Sequence, residues 1–593
     1  MNSIIDDQIA STFTLSENEG ENKVMDLKDA VARHIHPGAG IHVAVTHCCS
    51  YAAILEIARR FHGTRPDFTL IMRGIRDTVT ILLHMGLVKK VITSFSGNVY
   101  PWYGPNPVCQ KAYTQKQVEL EEWTILTFPL MLMAGALGVP AMPTNSLMGS
   151  SLADVNHRNF KKIDDPFGSS RPMGLVRALN PDISIVHGAA ADREGNTILT
   201  APYSESLWGA KASKGGVLVT VEKLVSTEFI RRHAHLVKLP AYMVKSVSEV
   251  PMGAHPGGVW HQGMEGFESY GEDYKFMTEF NKACKDPGQL DEWIDSWVLK
   301  CPSFEDYTEK LGAERILSLK GSTQKDAWRY QLAEVRDQIS EDPAAAGTTE
   351  QMVVIAARLI RERIFEAGHC TMLAGAGTAN LAAWLAKYQL QKQGRLVELM
   401  VELGYFGNSP RPAEPFLLNF GNFATCKMLT ETTDTLGVFT CGANNRCLGV
   451  LGAAQIDRFG NINSSWITDD IYVTGSGGAN DVATGACETM MIIRQSRRRF
   501  LEKVPFITAP GSRIRTLVSH MGVFEKLGAD ETFTLTRVFA DTNGADVDET
   551  VKEIQENCGW RLKTADKLQV INPPEPDELR LLRIFDPNRY YLK

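Results

Sequence analysis

Gly188-Ala189-Ala190-Ala191-Asp192-Arg193-Glu194-Gly195-Asn196 recurs, with one residue inserted, as Gly452-Ala453-Ala454-Gln455-Ile456-Asp457-Arg458-Phe459-Gly460-Asn461. Each copy follows an apolar run of strand character, Ile183-Ser184-Ile185-Val186 and Leu448-Gly449-Val450-Leu451. Asp-Arg-x-Gly-Asn is turn chemistry, because Gly and Asn tolerate positive φ and Asp caps its own turn. Two matches in matching contexts imply a duplicated domain.

The flanking segments repeat as well. A helix from Val24, with Leu27, Val31 and Ile35 on one face, ends at Pro37-Gly38. A strand Ile41-His42-Val43-Ala44-Val45 follows, and the loop His47-Cys48-Cys49-Ser50 opens a helix from Tyr51 to Phe61. In the second half, Thr348-Thr349-Glu350-Gln351 reads as a capping box before Met352, Ile355, Leu359 and Ile360. Ala367-Gly368 stops that helix, Cys370 to Ala374 is a strand, and Gly375-Ala376-Gly377-Thr378-Ala379 turns into the next helix. With short strands at Phe68-Thr69-Leu70-Ile71 and Val91-Ile92-Thr93, the alternation specifies parallel sheets flanked by helices.

The expected architecture is α/β: two related open α/β domains in tandem, with the active site at their interface. The polar, acidic residues 1–24 are expected to be a disordered tail. The first domain spans 25–325 and the second 351–593, with a linker region 326–350 centred on the small-residue stretch Ser340 to Gly347.

At 593 residues the chain exceeds one core, and its 44% hydrophobic and 22% charged residues are ordinary for a globular protein. A net charge of −7 provides no footprint for nucleic acid or an anionic membrane. The one dense basic run, Arg494 to Arg499, reads as a solvated helix end or a polyphosphate contact. The N-terminus lacks the basic and apolar regions of a signal peptide, and no stretch has 18 uninterrupted apolar residues. Eleven scattered cysteines with no C-x-x-C pair fit a reducing compartment without disulfides or zinc, so the expected location is cytoplasmic and no metal is expected.

Glu402 lies where the apolar run Leu396 to Val401 breaks towards Gly404 and Gly407, so a buried strand ends at a carboxylate. In open α/β sheets ligands bind outside strand carboxyl ends, whereas the plain alternative is a glutamate facing water. Thr474-Gly475-Ser476-Gly477-Gly478-Ala479-Asn480-Asp481 precedes a helix from Val482. Its glycines and free helix-start N–H groups suit a phosphate or an oxyanion, or else make a tight turn. It fits neither the P-loop nor the dinucleotide spacing. Of Glu121-Glu122, one carboxylate is a candidate for semi-burial and a raised pKa, against a solvated element end. His47 and Cys48 are adjacent without forming a dyad for that reason, His255 has no further ligand at metal spacing, and no Gly-x-Ser-x-Gly elbow occurs.

Glu402 in Val-Glu-x-Gly, the Thr474 to Asn480 segment and the motif Ala454-Gln455-Ile456-Asp457-Arg458-Phe459-Gly460-Asn461 together resemble the β subunit of family I CoA-transferases, of the glutaconate CoA-transferase type. Met25 to Ala30, Gly253-Ala254-His255-Pro256 and Glu309 to Ala313 resemble the α subunit, so the chain looks like a fusion of the two. The resemblance implies a ping-pong exchange. Glu402 attacks an acyl-CoA to form an acyl-glutamyl anhydride, and CoA thiolate then converts it to a glutamyl-CoA thioester. It implies that Gly478 donates its N–H to the oxyanion and that coenzyme A lies along the Gly-rich loops. The expected substrate- and CoA-binding set is Gly377, Thr378, Ala379, Gly475, Gly477, Ala479 and Asn480, with Ser96 and Asn98. The implied partners are an acyl-CoA and a carboxylate, in a homo-oligomer.

One departure concerns the substrate loop. The glutaconate enzymes carry a serine after an asparagine there, holding the far carboxylate; here Val99 follows Asn98, and Tyr100, Trp102 and Tyr103 come next. That implies a bulkier or less polar acyl group. Related ring-opening hydrolases of steroid-derived CoA thioesters use a glutamate of the α-like half, for which Glu122 is the counterpart here. A CoA-transferase working through Glu402, a hydrolase working through Glu122, and a non-catalytic CoA-binding protein are therefore the three readings.

Overall fold

The computed structural model describes residues 3–44, 48–168, 171–261, 263–339, 342, 346–539 and 547–593. His47 and most of Ser340 to Gly347 lie outside them.

The first sheet has seven parallel strands at its heart. The chain enters at Gly40–Val43 and moves outward through Phe68–Ile71, Val88–Thr93 and Glu119–Glu122. It then returns to the other side of Gly40–Val43 and continues through Ile183–Ala191, Val217–Leu224 and Val244–Glu249. The second sheet repeats this plan. The chain enters at Thr371–Ala374, moves to Glu398–Val401, and crosses back to Cys447–Leu451, Glu488–Ile492 and Ile514–Val518. In each sheet the chain reverses its direction of travel beside its first strand, which opens a crevice at the strand carboxyl ends. Antiparallel strands extend the second sheet at both edges, including the Tyr405–Asn408 hairpin partner of Glu398–Val401. No helix among the described residues is long and apolar enough to cross a membrane.

The repeated phrase forms the same device twice. Asp192 Oδ1 accepts from the Gly195 and Asn196 amides, and Asn196 Nδ2 donates to Asp192 Oδ2. Asp457 Oδ1 accepts from the Phe459 and Asn461 amides, and Asn461 Nδ2 donates to Asp457 Oδ2. A short polar side chain thus satisfies a buried turn that has no ladder partner.

Several expectations are corrected. Residues 4–13 form an exposed helix capped by Ser3, and the stretch after it is tied to the first domain rather than disordered. The Glu228 amide donates to Glu17 O, the Glu19 amide to Thr227 Oγ1, and the Lys23 amide to Arg193 O. The linker region contains the helix Ala327–Val335. The helix Thr348–Ala367 is capped by Gly347, whose amide donates to Glu350 Oε2 at 2.8 Å, so Thr348 is not the cap. Glu350 also receives Arg583 Nε at 2.7 Å, and that buried pair ties the helix to the C-terminal helix Pro576–Phe585. Arg494 to Arg499 is not helical, and Arg494 donates to Thr349 Oγ1.

Candidate active site

Glu402 follows the strand Glu398–Val401 and opens a tight hairpin. Gly404, at φ 109°, completes the turn, and a side chain there would run into Thr430 O. The turn therefore needs glycine for both its backbone conformation and its close approach. At the corresponding strand end of the first half, Arg73 follows Phe68–Ile71. Both side chains reach one cavity of about 90 Å³, whose wall also includes Arg76, Gly375 and Gly477. The cavity is thus built by strand carboxyl ends and Gly-rich loops of both halves. Larger clefts of about 610 and 730 Å³ lie elsewhere and do not include Glu402. Chemistry, not size, selects the site.

The loop carrying Gly475, Gly477 and Gly478 is clasped from both sides. Across the junction of the halves, the Ser96 amide donates to Thr474 O, the Gly477 amide to Ser94 O, and the Ile125 amide to Gly477 O. Glu122 Oε1, from the first half, accepts the Ser476 amide and Ser465 Oγ, both at 2.7 Å. Reciprocally, Asp481 of the second half accepts Thr124 Oγ1 at 2.6 Å and the Leu126 amide at 3.0 Å. Two buried carboxylates thereby take up backbone donors that the irregular loops leave free.

These carboxylates are desolvated, and that governs their protonation. Burial pushes Glu402 up to about 7, against the lowering influence of Arg73; Asp481 adds to the rise and the Gly478 amide opposes it. Burial likewise pushes Glu122 to about 7, although Ser465 and the Ser476 amide oppose it. Its second oxygen finds no hydrogen-bond partner among the described residues. Asp481 rises to about 6 for the same reason.

In the folded chain all three hold protons that the unfolded chain has released above the ordinary carboxylate range, so their contribution to stability declines as pH rises through about 6–7. Glu402→Gln is accordingly expected to stabilise the chain at about pH 8 by ~1–3 kcal/mol and to change little at about pH 4.5, since one pKa unit is worth about 1.4 kcal/mol. Urea unfolding at both pH values checks this; equal effects at the two would refute it.

A carboxylate at a strand end, a glycine-loop backbone packed against it and a small space between the halves can support nucleophilic attack on a carbonyl and stabilise the resulting oxyanion. Comparison with known proteins then identifies the family. The model of the coenzyme A transferase family matches residues 24–250 and 438–553. The chain belongs to the coenzyme A transferase family. Enzymes of this family act on CoA thioesters. The A-type subunit of glutaconate CoA-transferase from Acidaminococcus fermentans is 28% identical over 320 residues, covering 50% of this chain and 95% of that relative. The B-type subunit of 3-oxoadipate CoA-transferase from Pseudomonas knackmussii is 28% identical over 262 residues, covering 41% of this chain and 94% of that relative. The two halves of this chain are similar to the two kinds of subunit of such transferases, fused in one polypeptide. The fold is similar to that of the acyl-CoA transferase YdiF of E. coli O157:H7, solved as a thioester complex with CoA. That likeness has a TM-score of 0.62 at 13% identity and covers 95% of this chain and 96% of that one.

Within this transferase-family site, the expected residues separate into groups. Glu402 and Gly477 line the cavity, and the Gly478 backbone lies against the Glu402 carboxylate, where its amide favours the ionised form. Gly377 precedes the helix Thr378–Lys392, whose first turn holds Thr378 and Ala379; the cavity wall is formed one turn earlier, at Ala374 to Ala376. Gly475 sits against Glu122 and Tyr472 instead of the cavity. Ala479 begins the helix Ala479–Gly485, and Asn480 bridges the halves by accepting the Leu147 amide and donating to Thr508 O. Ser96 Oγ is paired with Tyr113 OH at 2.9 Å, and Asn98 Oδ1 accepts Asn106 Nδ2 at 2.9 Å. Both shape their loop without lining the cavity. Glu122 is buried behind the glycine loop and is not part of the cavity wall.

Arg73, Arg76, Phe95 and Phe416 are site residues that the sequence reading misses. Arg73 has one available signal: it follows a strand end of the first half as Glu402 follows one in the duplicated half.

Proposed function

We propose that this chain transfers coenzyme A between an acyl-CoA and a free carboxylate through covalent intermediates on Glu402. A Glu402 oxygen attacks the thioester carbonyl, the C–S bond breaks, and CoA leaves as thiolate, giving a mixed anhydride. The thiolate attacks the glutamyl carbonyl, releasing the first carboxylate and leaving glutamyl-CoA. An incoming carboxylate attacks that thioester and displaces CoA thiolate, which then attacks the new acyl group and restores Glu402. Each addition places negative charge on a carbonyl oxygen, where a preorganised backbone N–H is most effective.

The observation that carries this reading is Glu402 lining a cavity formed by both halves, with the backbone of the glycine loop at Gly478 packed against its carboxylate. Glu122 suits a positioning part: its Oε1 holds Ser465 and the Ser476 amide of the glycine loop, and its side chain lies outside the wall of the Glu402 cavity, which favours transfer over hydrolysis through that residue. The thioester complex of the similarly folded YdiF supports CoA as the carried group. The proposal includes small acyl-CoA and carboxylate partners, a cytoplasmic setting and a homo-oligomer, the last to be read by light scattering.

Incubation with acyl-CoA and no acceptor, followed by intact-mass measurement, tests the mechanism. The expected product gains the mass of CoA less one water and is absent in Glu402→Gln. Release of free acid without an adduct, dependent on Glu122, would establish hydrolysis instead.

A further inference from the structure

Arg76 is the second cation in the wall of the Glu402 cavity. Arg73 acts on Glu402 itself, which leaves Arg76 to meet an incoming carboxylate. Two carboxylates that are not part of that wall hold Arg76: its Nη1 lies 3.3 Å from Asp77 Oδ2, and its Nη2 lies 3.6 Å from Glu272 Oε1. Glu272 is held in turn by Tyr274, whose OH lies 3.0 Å from Glu272 Oε2. The same hydroxyl also meets Glu414 Oε1, of the second half. A tyrosine hydroxyl carries one proton and can donate to only one carboxylate at a time. The other contact therefore needs a protonated carboxyl that donates to the tyrosine oxygen. Glu272 faces a guanidinium, which favours its ionised form, so the proton belongs on Glu414.

The surroundings of Glu414 agree. Burial pushes it up to about 8; Tyr274 opposes the rise, and the charge of Glu272 adds to it. Tyr100 faces it from the first half and Tyr591 from the C-terminal segment. Asp586, beside those tyrosines, is taken up by the Tyr590, Tyr591 and Leu592 amides. Lys325 and Arg411 share with Glu414 the wall of a separate cavity of about 120 Å³, and Arg411 lies over the Trp328 ring at 5.6 Å. Among the described residues neither cation pairs with Glu414. Two residues beyond Glu414, Phe416 enters the wall of the Glu402 cavity, followed by Leu417 and Leu418. Glu414 thus joins the second-half wall of the site to the first-half arginine.

We propose that Glu414 is a positioning residue for the second half of the transfer: as a neutral acid donating to Tyr274, it completes a chain through Glu272 that holds Arg76 where an incoming carboxylate meets it. The inference rests on the proposed transfer reaction. Loss of the Glu414 proton to solvent leaves two anions against one hydroxyl, so one contact breaks, and it adds negative charge behind Arg76. Capture of the carboxylate therefore weakens as pH rises through about 8, while attack of Glu402 on the acyl-CoA does not.

The test prepares the CoA adduct from propionyl-, benzoyl- or glutaryl-CoA and discharges it onto the matching free acid, which by reversal of the donor's own reaction is a competent acceptor. Loss of adduct is followed by intact mass against acid concentration at about pH 7 and about pH 9. In the wild-type chain the acid concentration for half-maximal discharge is expected to rise about ten-fold between the two, since about a tenth of Glu414 keeps its proton at the higher pH. Glu414→Gln, whose amide N–H donates to Tyr274 without titrating, is expected to keep the low-pH value at both. Glu414→Ala is expected to behave at about pH 7 as the wild type does at about pH 9. An equal pH dependence in wild type and Glu414→Gln, or none in the wild type, overturns the positioning role while leaving transfer intact. Absence of an adduct from all three thioesters overturns the transfer reading itself, and the inference with it. Wild type and Glu414→Gln decide the matter even if Glu414→Ala does not fold.

Discussion

Glu402→Gln is expected to lower transfer by about 10³-fold or more, because a residue that forms the covalent intermediate has no substitute in the mechanism. The amide keeps the shape of the carboxylate and an oxygen able to accept the Gly478 amide. It cannot supply an anionic oxygen to attack the thioester. The loss should therefore fall on kcat and on adduct formation, with acyl-CoA binding preserved. In the wild-type chain, adduct formation should rise with pH through about 7 as Glu402 ionises, and then level. Stopped-flow release of CoA thiol across pH measures both points. A variant retaining a tenth of the wild-type rate would remove Glu402 from the mechanism.

Gly478→Ala should lower kcat by about 10²-fold, the scale of effect expected when the reacting carboxylate is displaced by about an ångström. Gly478 has φ −88°, a conformation any residue adopts, so backbone strain is not the cause. The added methyl would overlap Glu402 Oε2 and push the carboxylate out of its place. Gly477 is an internal control. Its φ is 50° and a methyl there would meet nothing within 4 Å. Gly477→Ala should therefore cost about 1 kcal/mol of stability through left-handed backbone strain, with a smaller kinetic effect. Steady-state kinetics and thermal melts of the two variants separate the mechanisms. Equal kcat losses would mean that the whole loop moves and that the Glu402 contact is not specific.

The duplication is readable because its signals are local. Asp-Arg-x-Gly-Asn satisfies its own backbone within five residues, and strand and helix periodicities need only their own neighbours. Glu402 is readable for a similar reason, since a buried strand that stops at a glycine announces its carboxyl end. The tie between residues 16–25 and the first domain is not, because polar composition does not reveal partners two hundred residues away.

The sequence by itself determined two α/β halves, a carboxylate at a strand end and a glycine-rich loop before a helix. Only the tertiary structure decided which of those groups meet. Ser96 and Asn98 turn into their own loop, Arg73 and Tyr103 reach the cavity, and Glu122 lies behind the glycines, outside the wall of the Glu402 cavity. The physical reason is that protonation, enclosure and cavity volume depend on contacts between halves far apart in the chain, and local propensity carries no information about them.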